Sequence, residues 1–149
     1  MSKSDATLAK VIAGSNLVAV RMVEVQAHLK SLEVRDYEYN LEIKGKAPQI
    51  VEKDGKRLLL AICAVSLSPK AAGAMVPVEI MVGMEAVYEL ADASITQKDC
   101  ESFVRQNVPY NLWPYFRETI QSVTARMQVN PPVVLPLMKP SLAIAGETK

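Results

Sequence analysis

Between Leu17 and Leu29 apolar and polar positions alternate, with Val23, Val25, Ala27 and Leu29 set against Glu24, Gln26, His28 and Lys30. A period of two predicts a strand with one buried and one wet face. A helical seam through Leu8, Val11, Val18, Met22, Val25, Leu29 and Leu32 is the rival reading, but Ser15 falls on it, and valines 18, 20, 23 and 25 are β-branched. A second strand follows, in which Tyr37, Tyr39, Leu41 and Ile43 face the interior and Glu38, Asn40, Glu42 and Lys44 face water. Residues 45–55 read as a polar connection with Pro48 and an Asp54-Gly55 turn. Residues 57–67 are apolar on both faces, which predicts a central strand covered on each side. Residues 76–90 alternate again, with a second face that is half apolar; Gly83 suggests a bulge, and Pro77 an edge without a ladder partner.

Helical spacing flanks these strands. Before them, Ser4 and Asp5 suit a helix start, Leu8, Val11 and Ile12 share a face, and Gly14 stops the run. After them, Thr96 and Asp99 form a capping box for a short helix that Pro109 ends, and Pro114 opens a longer one. Phe116, Ile120, Val123 and Met127 then make an apolar stripe. Pro131, Pro132, Pro136 and Pro140 forbid regular structure, so residues 129–142 should be an extended apolar segment lying on something. The pattern as a whole predicts an α+β fold: a four-stranded antiparallel sheet followed by a short and a long helix.

Composition narrows the function. At 149 residues a compact monomer would hide roughly 70% of its extended-chain surface, so neither disulfides nor metals are needed for a core. A formal net charge of +1, with no long run of either sign, is not built to neutralise a phosphate backbone, and no nucleic-acid partner is expected. The uncharged run 11–20 is about half of what a membrane helix needs and is broken by Gly14, Ser15 and Asn16, so no membrane insertion is expected either. Two cysteines are too few for a secreted framework, which favours a cytoplasmic home.

Catalytic and metal chemistry have little to stand on. His28 reads as a solvent-facing strand residue, Cys63 as a small buried hydrophobe, and Cys100 as a helix-start thiol that could be exposed but has no activating partner. There is no metal-ligand spacing and no phosphate loop, so neither an enzyme nor a cofactor is expected. Glu38, Glu42, Glu79, Glu85 and Glu89 alternate along strands as a wet face does. The unusual feature is apolar surface on both faces of the third and fourth strands, more than one or two helices cover, which calls for a partner subunit or a bound chain. Met75, Met81 and Met84 add soft, adaptable surface, unless they simply fill the core.

The helical region adds a specific signal. The run Trp113-Pro114-Tyr115-Phe116-Arg117-Glu118, continued by an apolar helix and a proline-containing extended tail from Pro131 to Leu137, resembles the SecB export-chaperone family. The order of elements upstream is compatible with it from residue 17. The resemblance implies one SecB-like domain over 1–149, with 1–16 an N-terminal helix or loose segment and 138–149 a flexible tail. It implies a homotetramer, a dimer of dimers, with Phe116, Ile120, Val123 and Met127 on the interface helix. It implies an ATP-independent chaperone that keeps unfolded polypeptides or preproteins competent for export or folding.

Carried over by position, the client groove would take Val76, Val78, Met81, Met84 and Tyr88 from the fourth strand, with Tyr110, Leu112 and Trp113 at the helix entrance. Core or subunit packing is the alternative for each, for Leu112 and Trp113 above all. Glu79 would match an acid through which the family docks on SecA, whereas the first strand reads Gln26, His28 and Lys30 where further acids would stand. These departures weigh against SecA coupling and leave a second reading open, a dedicated SecB-like guard of an antitoxin or other single partner. A small-ligand domain is the third.

Overall fold

The computed structural model of the chain describes residues 2–137, so the tail expected over 138–149 lies outside the described residues. The elements run α1 (Lys3–Gly14), β1 (Ser15–Leu29), β2 (Tyr39–Gly45), β3 (Gln49–Lys53), β4 (Lys56–Pro69), β5 (Val78–Leu90) and α2 (Gln97–Arg126). The fold is α+β, as the pattern predicts, but the antiparallel sheet has five strands, in the order β1-β5-β4-β2 with β3 also on β4.

Three local expectations change. The cap of α1 is Ser2 and not Ser4: the Ser2 hydroxyl accepts the Asp5 amide at 3.1 Å while the Asp5 carboxylate accepts the Ser2 amide at 3.0 Å. The reciprocal box needs an acid three residues after the cap, which only Ser2 has. The connection 45–55 contains β3, which pairs with β4 in the register Gln49↔Leu60 to Lys53↔Lys56. Its Asp54-Gly55 turn has φ of 53° and 74°, the two left-handed residues of a tight hairpin. The polar residues Gln49, Glu52 and Lys53 disguised this strand, and all three are exposed. Lastly, β5 is central, not an edge. Pro77 precedes its first residue, and the Pro77 carbonyl accepts the amides of Lys30 (2.8 Å) and Ser31 (3.3 Å).

The helical end differs most. The predicted short and long helices are one 30-residue helix, α2, running through both Pro109 and Pro114. Each proline forgoes an intrahelical hydrogen bond, a cost that ends many helices. Here apolar residues at helical spacing are buried on either side of each proline, Val104, Val108, Leu112, Phe116 and Ile120 among them. Burial along one helix outweighs local propensity.

Contacts divide the described chain into two compact units, each holding a part of β1, β4, β5 and α2. The first comprises residues up to Arg21, Gly45–Cys63 and Met84–Leu112. Its core includes Val11, Leu59, Ala61, Ile95 and Val108, and Phe103 of α2 meets Tyr88 of β5 edge-on at 5.0 Å. Gly14 packs closely there: a Cβ would stand 2.8 Å from Ile95 Cδ1 and 3.1 Å from Asp92 Cβ, so both side chains would have to shift. The second comprises Met22–Lys44, Ala64–Gly83 and the chain from Trp113 onward. Ile43, Val65, Val76, Val78, Val82, Phe116 and Ile120 fill its core. Gly83 lets β1 approach closely, since a Cβ would lie 3.3 Å from Val23 Cγ2.

Candidate functional site

Burial sorts the residues expected on a groove. Val76, Val78, Met84, Tyr88, Leu112 and Trp113 are all buried, none more than 3% exposed, and so pack inside the chain's own core. Met81 is half-buried and Tyr110 is exposed. On the helix stripe Phe116 and Ile120 are fully buried, while Val123 and Met127 are half-buried. Tyr88 is held by a hydrogen bond from Asn111 Nδ2 to its oxygen at 2.9 Å; burial raises the phenol's pKa, and that bond opposes the rise. Glu79 is half-exposed and lies 3.8 Å from Lys30 Nζ.

Other groups fall partly as expected. His28 is exposed on β1 and Cys63 is buried, its thiol pushed up to about 12 by loss of water. Cys100 is buried too, against the expectation that it could be exposed, and burial raises it to about 11. Such thiols are poor nucleophiles. Glu85, expected on a wet face, is buried in central β5, where the Arg21 guanidinium pairs with it. A buried carboxylate without that partner would be costly. Among the described residues no group of three His, Cys, Asp or Glu side chains could hold a metal ion, and no helix is long and apolar enough to cross a membrane.

Apolar residues are left exposed, but chiefly on a strand other than the two expected, β4 and β5. Every residue of β5 except Glu79, Met81 and Glu89 is buried, so that strand is covered on both faces. Exposed large apolar side chains lie instead along β1, the end strand of the order β1-β5-β4-β2: Val18, Met22, Val23 and Leu29 are each 45–59% exposed. Leu58, Leu60, Ile62 and Ala64, the second face of β4, are half-buried. A solvent-facing edge with an apolar surface is a template for another chain.

A second feature was only partly legible. The extended segment 129–137 lies along α2, as its prolines suggested, and α2 side chains hold its backbone. Trp113 Nε1–H donates to the Pro136 carbonyl at 2.8 Å, and Arg117 Nε–H to the Leu135 carbonyl at 3.0 Å. The Val133 amide donates to the Thr124 hydroxyl at 2.9 Å, and that hydroxyl donates in turn to the Ile120 carbonyl at 2.8 Å. Helical spacing placed Arg117 on the helix opened by Pro114, and the family resemblance set Trp113 at its entrance, but no periodicity says which polar atoms read a distant backbone. An open cleft of about 450 Å³ near the starts of both helices carries charges of both signs, Lys3, Lys98 and Arg105 with Asp99 and Glu101. The Asp99 carboxylate is already taken by the Thr96 amide at 2.8 Å.

No family model and no curated protein matches the sequence. Among solved structures the chain is similar to the SecB-like chaperone Rv1957 of Mycobacterium tuberculosis, in complex with a ChAD peptide from the Rv1956 HigA1 antitoxin. That likeness has a TM-score of 0.66 at 13% identity and spans 92% of this chain and 100% of that one. It is also similar to a protein of unknown function from Streptococcus agalactiae, with a TM-score of 0.53 at 11% identity over 82% of this chain and 96% of that one. At such identities the likeness is one of fold alone, and this chain has the SecB-like fold.

Proposed function

We propose that this chain is an ATP-independent chaperone of the cytoplasm that holds non-native polypeptide without a catalytic step. The observation that carries the reading is the SecB-like fold over 92% of the chain. Apolar residues left exposed on β1 support it. An unfolded client presents apolar side chains and unpaired backbone groups together, so capture needs apolar surface beside a strand edge. Each subsite that buries one side chain contributes about 1–3 kcal/mol. Several weak subsites on a homotetramer would hold one connected client firmly without demanding a fixed sequence. Met81 and Tyr110 are the two residues of the expected groove that the folded chain leaves accessible.

Light scattering of an aggregating client tests the reading. Suppression by a stoichiometric amount of the protein is expected, and none would overturn it. Met81→Asp and Tyr110→Asp, made separately, should each weaken suppression while leaving the assembly's mass unchanged.

The second reading, a dedicated guard of one antitoxin or other single partner, is favoured by the antitoxin peptide bound to the M. tuberculosis neighbour. Several unrelated unfolded clients offered in competition separate the two, because a guard ignores most of them. SecA docking through Glu79 belongs to the first reading, and Glu79→Lys should abolish SecA binding with holding intact.

A further inference from the structure

We propose that the slot on α2 between Trp113 and Thr124 is an extended-peptide site, and that residues 129–137 are its built-in, displaceable occupant. The inference rests on the chaperone reading for its biological meaning, since the incoming peptide would be a stretch of client. The occupant's chemistry is visible in the structure: an extended segment with apolar side chains whose backbone carbonyls at Leu135 and Pro136 accept hydrogen bonds from α2 side chains.

Three features distinguish this slot from ordinary packing of a chain end. The three polar contacts made by α2 side chains read backbone atoms, the carbonyls of residues 135 and 136 and the amide of residue 133, so they impose no side-chain identity on what lies there. Two of the reading groups, Trp113 and Thr124, are themselves at most 3% exposed, so their polar atoms have no water to fall back on and hold their geometry for whatever segment is present. Over residues 133–136 the segment also alternates: Val133 and Leu135 are buried, whereas Val134 and Pro136 are exposed, and Leu137 beyond them is 73% exposed. A strap that served only to close the core would gain nothing from an apolar outer face, whereas that composition is the one an unfolded client offers.

The grip is also modest. The segment is anchored at its start, where Val129 is buried and its amide donates to the Thr124 carbonyl at 3.1 Å; beyond that anchor two inward side chains and three hydrogen bonds hold residues 133–136, a short grip of the kind that opens locally. A tethered occupant competes at a high effective concentration, so a peptide added in trans sees only the fraction of molecules whose strap has lifted. Strap and client then exclude each other. The slot stays covered when no client is present, which protects the chaperone from capture by its own copies.

The test uses the full chain and a labelled peptide with the sequence of residues 129–137. Binding is read by anisotropy and by the fluorescence of Trp113, the protein's only tryptophan. Val133→Ser combined with Leu135→Ser should lift the strap and tighten peptide binding at least tenfold, and adding Arg117→Met should reverse most of that gain. A variant that folds like the parent and binds no more tightly overturns the proposal. If the double variant does not fold, amide exchange in the unaltered protein decides: saturating peptide should speed exchange at Val133, and unchanged or slower exchange overturns the proposal. Suppression of client aggregation is measured in parallel. Clients held with no effect of strap release sink the slot alone; peptide bound but no client held by either form sinks the chaperone reading and leaves the slot standing.

Discussion

The hydroxyl of Thr124 accepts the Val133 amide at 2.9 Å and donates to the Ile120 carbonyl one helical turn back, so a single buried side chain ties the returning chain to α2. Thr124→Val keeps the shape but leaves the Val133 N–H without an acceptor. An orphaned buried donor costs about 1–3 kcal/mol. Urea denaturation should show a loss of that size for Thr124→Val and a much smaller one for Thr124→Ser. No loss for Thr124→Val would mean that the hydroxyl does not carry the contact.

A side chain at Gly14 should force Ile95 and Asp92 to give way. Gly14→Ala drives a Cβ into Ile95 Cδ1 and toward Asp92 Cβ, and overpacking of this kind costs about 1–3 kcal/mol. Ile95→Val removes the Cδ1 methyl, so the double variant should be less unstable than the two single losses added together. Strict additivity in thermal melts would show that Ile95 does not meet the new methyl.

The start of α2 should depend on pH. Acceptance of the Thr96 amide holds the Asp99 carboxyl below its ordinary 3.8. A depressed folded-state value gives stability that is complete above the unfolded value and is lost as pH falls through the folded one. Asp99→Ala should therefore cost about 0.5–1 kcal/mol at neutral pH. The gap to the parent should close as pH drops below 4, in melts at constant ionic strength. A gap that widens on acidification would contradict this sign.

Arg57 gathers the loop after β5. Its guanidinium donates to the carbonyls of Asp92 (3.3 Å), Ala93 (3.1 Å) and Ile95 (2.9 Å), an arrangement suited to a planar fork and not to an ammonium. Arg57→Lys should speed amide exchange across residues 92–96 nearly as much as Arg57→Met does. Recovery of parental exchange by lysine would show that charge alone suffices.

Much of the fold was legible because its signals are local. Alternation in β2, the apolar run of β4 and the Thr96–Asp99 box depend on residues within a few positions of one another, and each is found where the pattern put it. The misreadings arose where a remote contact outweighs a local cue. Pro109 and Pro114 read as helix boundaries, but burial of Val108, Leu112 and Phe116 carries α2 through both. β3 read as a loop because an exposed edge strand needs few apolar residues, and Glu85 read as wet because Arg21 lies 64 positions away in the chain.

The candidate site divides in the same way. Spacing put Met81 on a strand, the prolines marked 129–142 as extended, and the family resemblance set Tyr110, Leu112 and Trp113 at a helix entrance. Periodicity reports that a side chain faces something, not whether that something is core, partner or client. Only the tertiary structure decided that Leu112 and Trp113 are interior while Tyr110 is open, that the apolar surplus lies on β1 and not β5, and that a helix reads the backbone of its own strap. The physical reason is that backbone preference and amphipathic period are set by neighbours in sequence, whereas burial is set by which surfaces meet, and those meetings join residues far apart in the chain.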